Sequence, residues 1–186
     1  MFTGIVQAVG RIVRVAPLEV DCPALDLADV AVGDSICVQG VCLTVTALKG
    51  TSFSADVSPE TLGVTVGLER AGAAVNLEKS LALGERLGGH LVTGHIDGVG
   101  DVLTFAEGVL AVRVPQGLAR YVARKGSICV DGVSLTVNSV DGGTFEAFLI
   151  PHTQKVTTLG RLAAGGRVNL EVDLIARYVD RLLTAS

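Results

Sequence analysis

The chain carries one stretch of its sequence twice. Residues 35–46, Ser-Ile-Cys-Val-Gln-Gly-Val-Cys-Leu-Thr-Val-Thr, return at 127–138 as Ser-Ile-Cys-Val-Asp-Gly-Val-Ser-Leu-Thr-Val-Asn, nine of twelve positions identical at an offset of 92. Thr3-Gly4 returns as Thr93-Gly94 at an offset of 90, and Val75-Asn76-Leu77-Glu78 returns as Val168-Asn169-Leu170-Glu171 at 93. Shared composition does not produce matches of this length in this order, so the 186 residues contain a duplicated structural unit. Any fold proposed for one copy must serve the other, and the drift in offset leaves room only for small loop insertions.

Each copy reads as short strands. Val41 to Leu48 alternates apolar and polar with β-branched residues, Lys49-Gly50 signals a turn, and Ser52 to Val57 resumes the alternation. The glycines at the opening of each copy, Gly4 and Gly10 or Gly94, Gly98 and Gly100, suit a bent or bulged strand at a barrel corner. Pro59 and Pro151 follow strands and fit the first turn of a short helix. Six or so short strands in fewer than ninety residues point to a compact antiparallel barrel. The expected fold is all-β: two tandem six-stranded antiparallel Greek-key barrels, residues 1–89 and 90–173, followed by an amphipathic helix in 174–186. Leu174, Ile175, Tyr178, Val179, Leu182 and Leu183 give that helix one apolar face, which suits packing against another subunit.

Composition removes several classes of function. With 49% hydrophobic and 18% charged residues, each unit has enough apolar material for a core. No apolar run approaches the length of a membrane span. The opening Met1-Phe2-Thr3-Gly4-Ile5-Val6 has neither the basic nor the apolar region of a secretory signal and reads as the mature start of a cytoplasmic protein. A net charge of −4 with no basic block disfavours nucleic acid. Cys22, Cys37, Cys42 and Cys129 form no C-x-x-C knuckle, so neither zinc nor a disulfide framework is expected. The glycines match no dinucleotide or P-loop pattern, and there is no G-x-S-x-G elbow. Aromatics are only 4% of the chain and Trp is absent, so a bound ring would rest on backbone groups and aliphatic walls.

Positions where the copies differ are the candidates for divided labour. Aligned through the repeat, Ile5 faces His95, Cys42 faces Ser134, Ser58 faces Ile150 and Ser80 faces Asp173. His95 follows Thr93-Gly94 and ionises in the range suited to proton transfer. Cys42 lies mid-strand, where a cysteine serves equally as a small hydrophobe. His90 and His152 read by default as loop or packing residues, Lys125 as an exposed turn residue, and the hydroxyls of Thr44, Thr61, Ser134, Thr136 and Thr153 as strand or capping groups.

Met1 to Val6, Gly40 to Val45, Pro59 to Leu62, Gly88 to His95 and Asp131 to Val137 together resemble the riboflavin synthase family, the lumazine-binding double barrels, over essentially the whole chain. The resemblance implies dismutation of two 6,7-dimethyl-8-ribityllumazine molecules by four-carbon transfer, giving riboflavin and 5-amino-6-(D-ribitylamino)uracil without cofactor or metal. It implies one lumazine per barrel, a homotrimer held by C-terminal helices, and possible association with lumazine synthase. An N-terminal seat would be lined by Gly4, Ile5, Val6, Ser35, Cys42, Leu43, Thr44, then Asp56, Val57, Ser58, Pro59, Glu60 and Thr61, and by Gly94, His95 and Ile96, with Phe2 closing one wall. A C-terminal seat would be lined by Lys125, Ser134, Leu135 and Thr136, then Phe148, Leu149, Ile150, Pro151, His152 and Thr153, and by Asp173. The implied catalytic set is Phe2, Ser35, Cys42, His95, Lys125, Ser134 and Asp173, with His95 suited to take a proton from the acidic C7 methyl and Cys42, Ser35 or water suited to act as nucleophile. His152 departs from the glutamate usual in the family and present here as Glu60. The alternatives are a non-catalytic antenna protein of the same double-barrel type and a purely structural tandem barrel, the latter leaving these residues without a purpose.

Overall fold

The computed structural model describes residues 1–184. Residues 185 and 186, the end of the expected 174–186 segment, lie outside the described residues. The first copy forms β1 (Ala8–Val15), β2 (Leu18–Asp21), β3 (Ser35–Val38), β4 (Val41–Lys49), β5 (Ser52–Ala55) and β6 (Ala74–Lys79), with α1 (Pro59–Val64) between the last two. The second forms β7 (Gly98–Ala106), β8 (Val109–Arg113), β9 (Ser127–Val130), β10 (Val133–Asp141), β11 (Thr144–Phe148) and β12 (Arg167–Val172), with α2 (Pro151–Val156) in the matching place. Each set closes into an antiparallel barrel, β1-β2-β5-β4-β3-β6 and, in the same order, β7-β8-β11-β10-β9-β12. A C-terminal helix, α3 (Leu174–Thr184), follows.

The alternation read in the sequence decides which face fills each barrel. Val41, Leu43 and Val45 of β4 point inward and are buried, while Cys42 and Thr44 point outward. Val133, Leu135 and Val137 of β10 repeat the inward set, with Ser134 and Thr136 outside. Phe53 with Ile12, Ile36 and Leu77 anchors one core, and Phe145 with Val102, Ile128 and Leu170 the other. Each large aliphatic side chain fully buried there contributes roughly 1.5–3 kcal/mol. The strands bend at matched bulges, between Ile12 and Arg14, Val45 and Ala47, Val102 and Thr104, and Val137 and Ser139. The bends therefore fall away from the glycines to which the sequence assigned them. Gly10 and Gly100 serve packing instead: a Cβ on Gly10 would stand 2.6 Å from Leu77 Cδ1, and one on Gly100 2.7 Å from Leu170 Cδ1. Pro59 and Pro151 open α1 and α2 as expected. Two short 3-10 turns, Gln116–Tyr121 and Thr158–Arg161, carry no clear sequence signal and were not expected.

The barrels meet about a pseudo-twofold axis. The β3–β4 and β9–β10 hairpins turn through Gln39-Gly40 and Asp131-Gly132, all four residues at positive φ (52°, 88°, 49° and 83°), the two-residue turn that matches strand twist. The turns touch tip to tip, a Cβ on Gly40 falling 2.9 Å from the Gly132 nitrogen. Asn76 of β6 donates its Nδ2 to the Asp131 carbonyl at 2.9 Å, and Asn169 of β12 donates to the Gln39 carbonyl at 2.9 Å. Their Oδ1 atoms accept from Thr158 N at 2.7 Å and Val66 N at 2.8 Å, each again in the other copy. Along the same axis Phe2 pairs with Val92 and packs with Cys37, Cys129 and half-buried Cys42.

Asp131 sits in this contact 2% exposed, its Oδ1 accepting the Asn169 N–H at 2.8 Å. Burial raises its pKa to about 7, although the Asn169 N–H and the Gln39 side chain favour the carboxylate. The folded state therefore holds a proton that the unfolded chain releases near its ordinary 3.8. The stability linked to this proton is full below that value and is lost as pH rises through about 7. Asp131→Asn keeps the Oδ1 acceptor without the titration. Denaturant unfolding should find the variant's stability relative to wild type rising between pH 4 and pH 8, by at most roughly 4 kcal/mol; a pH-independent difference contradicts the assignment.

Candidate active site

Each copy opens with a tight turn that leaves its own barrel and docks on the other. Gly94 presents its carbonyl to the Cys42 N–H at 2.8 Å, and Gly4 presents its carbonyl to the Ser134 N–H at 2.8 Å. Cys42 and Ser134 occupy outward positions on β4 and β10, opposite Cys37 and Cys129. Both docking glycines have positive φ (Gly4 74°, Gly94 79°), and a Cβ on either would lie 2.6 Å from the Cβ of Ser134 or Cys42. Only glycine permits so close an approach. Beyond the turns, Ile96 packs into the first core and Val6 into the second.

The first barrel thereby gains a cavity of about 220 Å³ lined by Val41, Cys42, Glu60, Thr61, Val64, Thr65, Gly94, His95 and Ile96. It brings together the thiol, the imidazole and the first turn of α1, which the sequence had selected separately. Ser58 caps α1, its hydroxyl accepting from Thr61 N at 3.0 Å, so its difference from Ile150, which provides no such cap, has a local structural reason.

The Gly4-Ile5-Val6 stretch, expected beside Cys42, lies instead beside Ser134 on the second barrel. The physical reason is the turn at Gly4, which carries the chain across the axis before β1 begins at Ala8. The sequence, read copy by copy, does not disclose that crossing. Phe2, expected to close one wall of the first seat, is fully buried and packs with Cys42, Val92, Cys37 and Cys129. The side chains of Leu43, Leu135 and Leu149 belong to the barrel cores.

Ser134 has a neighbour that the sequence reading left as a loop or packing residue. His90 is 8% exposed and its Nδ1 lies 2.7 Å from Ser134 Oγ. Burial pushes its pKa down, while the carboxylates of Asp173 and Glu171 pull the other way. Its Nε2 has no hydrogen-bond partner among the described residues. The Gly88-Gly89 pair ahead of it was the available signal: a Cβ on Gly89 would stand 2.8 Å from Ser134 Cβ. Asp173 also has a structural task, its Oδ1 accepting the Ile175 N–H at 3.0 Å at the start of α3. Ser35 pairs with Thr44 across β3 and β4, and Thr136 pairs with Ser127 across β9 and β10. Lys125 is exposed at φ 68° with its N–H on Val137, further along the hairpin from Ser134. The outward segments Asp56 to Thr61 and Phe148 to Thr153 lead into α1 and α2, with Phe148 and Ile150 half exposed and Pro151 and His152 exposed.

Two closed barrels of the same strand order, each receiving the opening turn of the other copy and carrying unlike side chains at matched outer positions, define a tandem-barrel protein built by duplication. A sequence profile for the lumazine binding domain matches residues 3–80 and again 93–173. The chain is 46% identical to the riboflavin synthase of Photobacterium phosphoreum, covering 98% of this chain and 89% of the relative. It is also 46% identical to that of Mycobacterium bovis, over 100% of both chains. Among solved structures, LumP complexed with riboflavin superposes with a TM-score of 0.80 at 29% identity, covering 92% of this chain and 99% of LumP. LumP complexed with 6,7-dimethyl-8-(1'-D-ribityl) lumazine superposes at 0.77 and 28% identity, with the same coverage. The chain belongs to the riboflavin synthase family of tandem lumazine-binding domains.

Gly94→Ala tests the close approach that completes the first seat. The added methyl meets β4 at 2.6 Å in a strained backbone region. If this cavity is a ligand seat, displacement of Gly94 and His95 should weaken lumazine binding by about tenfold or more, the equivalent of roughly 1–3 kcal/mol of lost contact and strain. Fluorescence titration reads the loss, and unaltered affinity shows that the seat does not depend on the turn.

Proposed function

We propose that the chain catalyses the dismutation of two 6,7-dimethyl-8-ribityllumazine molecules to riboflavin and 5-amino-6-(D-ribitylamino)uracil, each barrel seating one. The observation that carries this reading is the pair of equivalent frames with unlike reactive groups: Cys42 with His95 in one seat, Ser134 with His90 in the other. Whole-chain identity of 46% to riboflavin synthases supports the enzyme over a protein that only binds its ligand, the reading that likeness to LumP complexed with riboflavin would also suit.

The reaction is a transfer between identical molecules. One lumazine gives up a four-carbon unit and the other receives it, so atoms and electrons balance between the two substrates and no outside oxidant or reductant is consumed. The receiving lumazine must lose a proton from its C7 methyl, and the exposed imidazole of His95, which lines the first-barrel cavity, is suited to take it. The donating lumazine must be attacked at C7, for which Cys42, Ser35 or water remain the candidates. The unpartnered His90 Nε2 offers a polar contact to a ligand in the second seat. Holding two rings face to face removes much of the bimolecular entropy cost, worth roughly 7–11 kcal/mol in well-oriented cases.

The proposed assembly is a homotrimer in which the first barrel of one protomer faces the second barrel of the next. Support comes from α3, which is tied to the second barrel by Arg177 with Asp97 and Arg120 with Asp180, yet leaves Ile175, Tyr178, Val179 and Leu182 exposed along one stripe. The helix α3, Leu174–Thr184, would be the oligomerisation helix. No described helix is long and apolar enough to cross a membrane. Cytoplasmic placement and association with lumazine synthase belong to the same proposal.

The purified protein, mixed with 6,7-dimethyl-8-ribityllumazine alone, should yield riboflavin and the ribitylaminouracil in equal amounts. Binding without riboflavin favours the antenna reading, and absence of binding removes both. Cys42→Ser should lower kcat by about tenfold or more, a barrier increase of at least about 1.4 kcal/mol; unchanged turnover takes Cys42 out of the nucleophile role. Light scattering should report a trimer for the wild type and a smaller species for Tyr178→Glu with Leu182→Glu, while an unchanged mass excludes α3 from the interface.

A further inference from the structure

The turns that dock across the axis do not hold themselves. Glu78, on the closing strand of the first barrel, is 4% exposed and accepts three hydrogen bonds from the first turn. Its Oε1 takes the Thr3 N–H at 2.7 Å and the Thr3 hydroxyl at 2.7 Å, and its Oε2 takes the Gly4 N–H at 3.0 Å. Glu171, on the closing strand of the second barrel, is 3% exposed and repeats the pattern. Its bonds run from Thr93 N at 2.6 Å, Thr93 Oγ1 at 2.7 Å and Gly94 N at 2.8 Å. Each threonine hydroxyl also accepts the N–H two residues on, Ile5 at 3.2 Å and His95 at 3.3 Å. A buried carboxylate with three donors on its two oxygens fixes a short turn far more firmly than the turn's own contacts do.

The far side of each clamped turn belongs to the opposite barrel. Glu171 holds Gly94, whose carbonyl accepts the Cys42 N–H; Glu78 holds Gly4, whose carbonyl accepts the Ser134 N–H. We infer that Glu78 and Glu171 are positioning residues wired crosswise: the carboxylate of each barrel's closing strand sets the ligand seat of the other barrel. Glu171 places His95 over the Cys42 seat of the first barrel, and Glu78 places Ile5 against the Ser134 seat of the second. Neither carboxylate needs to touch substrate. The division of ligand sites between the barrels is therefore not a division of the residues that build them.

The functional half of this inference rests on the lumazine-binding reading above; the structural half does not. Glu→Gln discriminates, because the amide keeps an oxygen for the threonine but turns an N–H toward the glycine N–H. In Glu171→Gln, hydrogen exchange at the Cys42 amide should rise about tenfold or more, the loss of one charge-assisted bond, while the Ser134 amide stays within about twofold. Glu78→Gln should give the mirror result. Thr93→Val and Thr3→Val keep the side-chain shape but remove one of the three carboxylate bonds and the hydroxyl's bond to the N–H two residues on; they should show the same crossing more weakly and serve if a glutamine variant does not fold. Acceleration of both amides together, or of the amide in the variant's own barrel, in the valine variants as well, overturns the crosswise wiring.

Ligand binding separates positioning from mere support. Cys42 is the half-exposed thiol and the other three cysteines are buried, so its alkylation by iodoacetamide, slowed by riboflavin, titrates the first seat. The riboflavin concentration giving half protection should rise about tenfold in Glu171→Gln and stay within about twofold in Glu78→Gln. Crossed exchange with uncrossed affinity would overturn the positioning role and leave only a structural clamp. If riboflavin fails to protect Cys42 even in the wild type, the lumazine-binding reading fails, and the exchange measurement alone still decides the wiring.

Discussion

Two asparagine side chains hold the rest of the molecule in place. Asn76 and Asn169 each reach from a closing strand to a carbonyl in the other barrel's hairpin turn, and each accepts an N–H from a further segment of that other copy. The groups are buried, so every bond they make replaces water that cannot return, and losing one leaves an unsatisfied polar atom at a cost of roughly 1–3 kcal/mol. These bonds fix the rotation of one barrel against the other. Without that rotation Gly94 would not reach Cys42, nor Gly4 reach Ser134, and both seats would open.

Duplication with this geometry explains why the copies match where they do. Inward residues fill closed barrels of equal volume, where a change of one methylene is felt, so Val41, Leu43 and Val45 persist as Val133, Leu135 and Val137. Axis residues must satisfy their own images, which keeps the asparagines, the positive-φ turns and the clamping glutamates. Outward positions answer to neither demand. There Cys42 becomes Ser134, His95 stands for Ile5, and Glu60 becomes His152.

Local features were legible in the sequence because local physics decides them. Alternation gave β4 and β10 their buried faces, proline gave α1 and α2 their first turns, and the repeat gave the two barrels. Of the cavity residues, Cys42 and His95 stood out as positions where the copies differ, and Glu60 and Thr61 joined them because the family likeness links segments distant along the chain. What escaped was decided by the contact between barrels. Gly4-Ile5-Val6 was assigned to the barrel it precedes, although its turn crosses the axis; His90 read as a loop or packing residue, with no sign of Ser134 as its neighbour; Phe2 read as a wall of the first seat, and the axis buries it. Bends were assigned to glycines because glycine permits them, whereas Gly10 and Gly100 are there for want of space.

The low aromatic content then acquires a physical meaning. The opening turns dock through backbone groups: a glycine carbonyl accepts a strand N–H, and a carboxylate grips two N–H groups and a hydroxyl of each turn. Such a frame is set by the fold and is common to both copies, so it supplies binding without distinguishing an enzyme from a binder. Chemistry must come from the few side chains that the frame leaves free, the Cys42 thiol with His95 on one side and Ser134 with the buried His90 on the other. Two seats of one shape and unlike reactivity suit a reaction whose two substrates are the same molecule in different roles. A protein that only stored its ligand would have no use for that inequality.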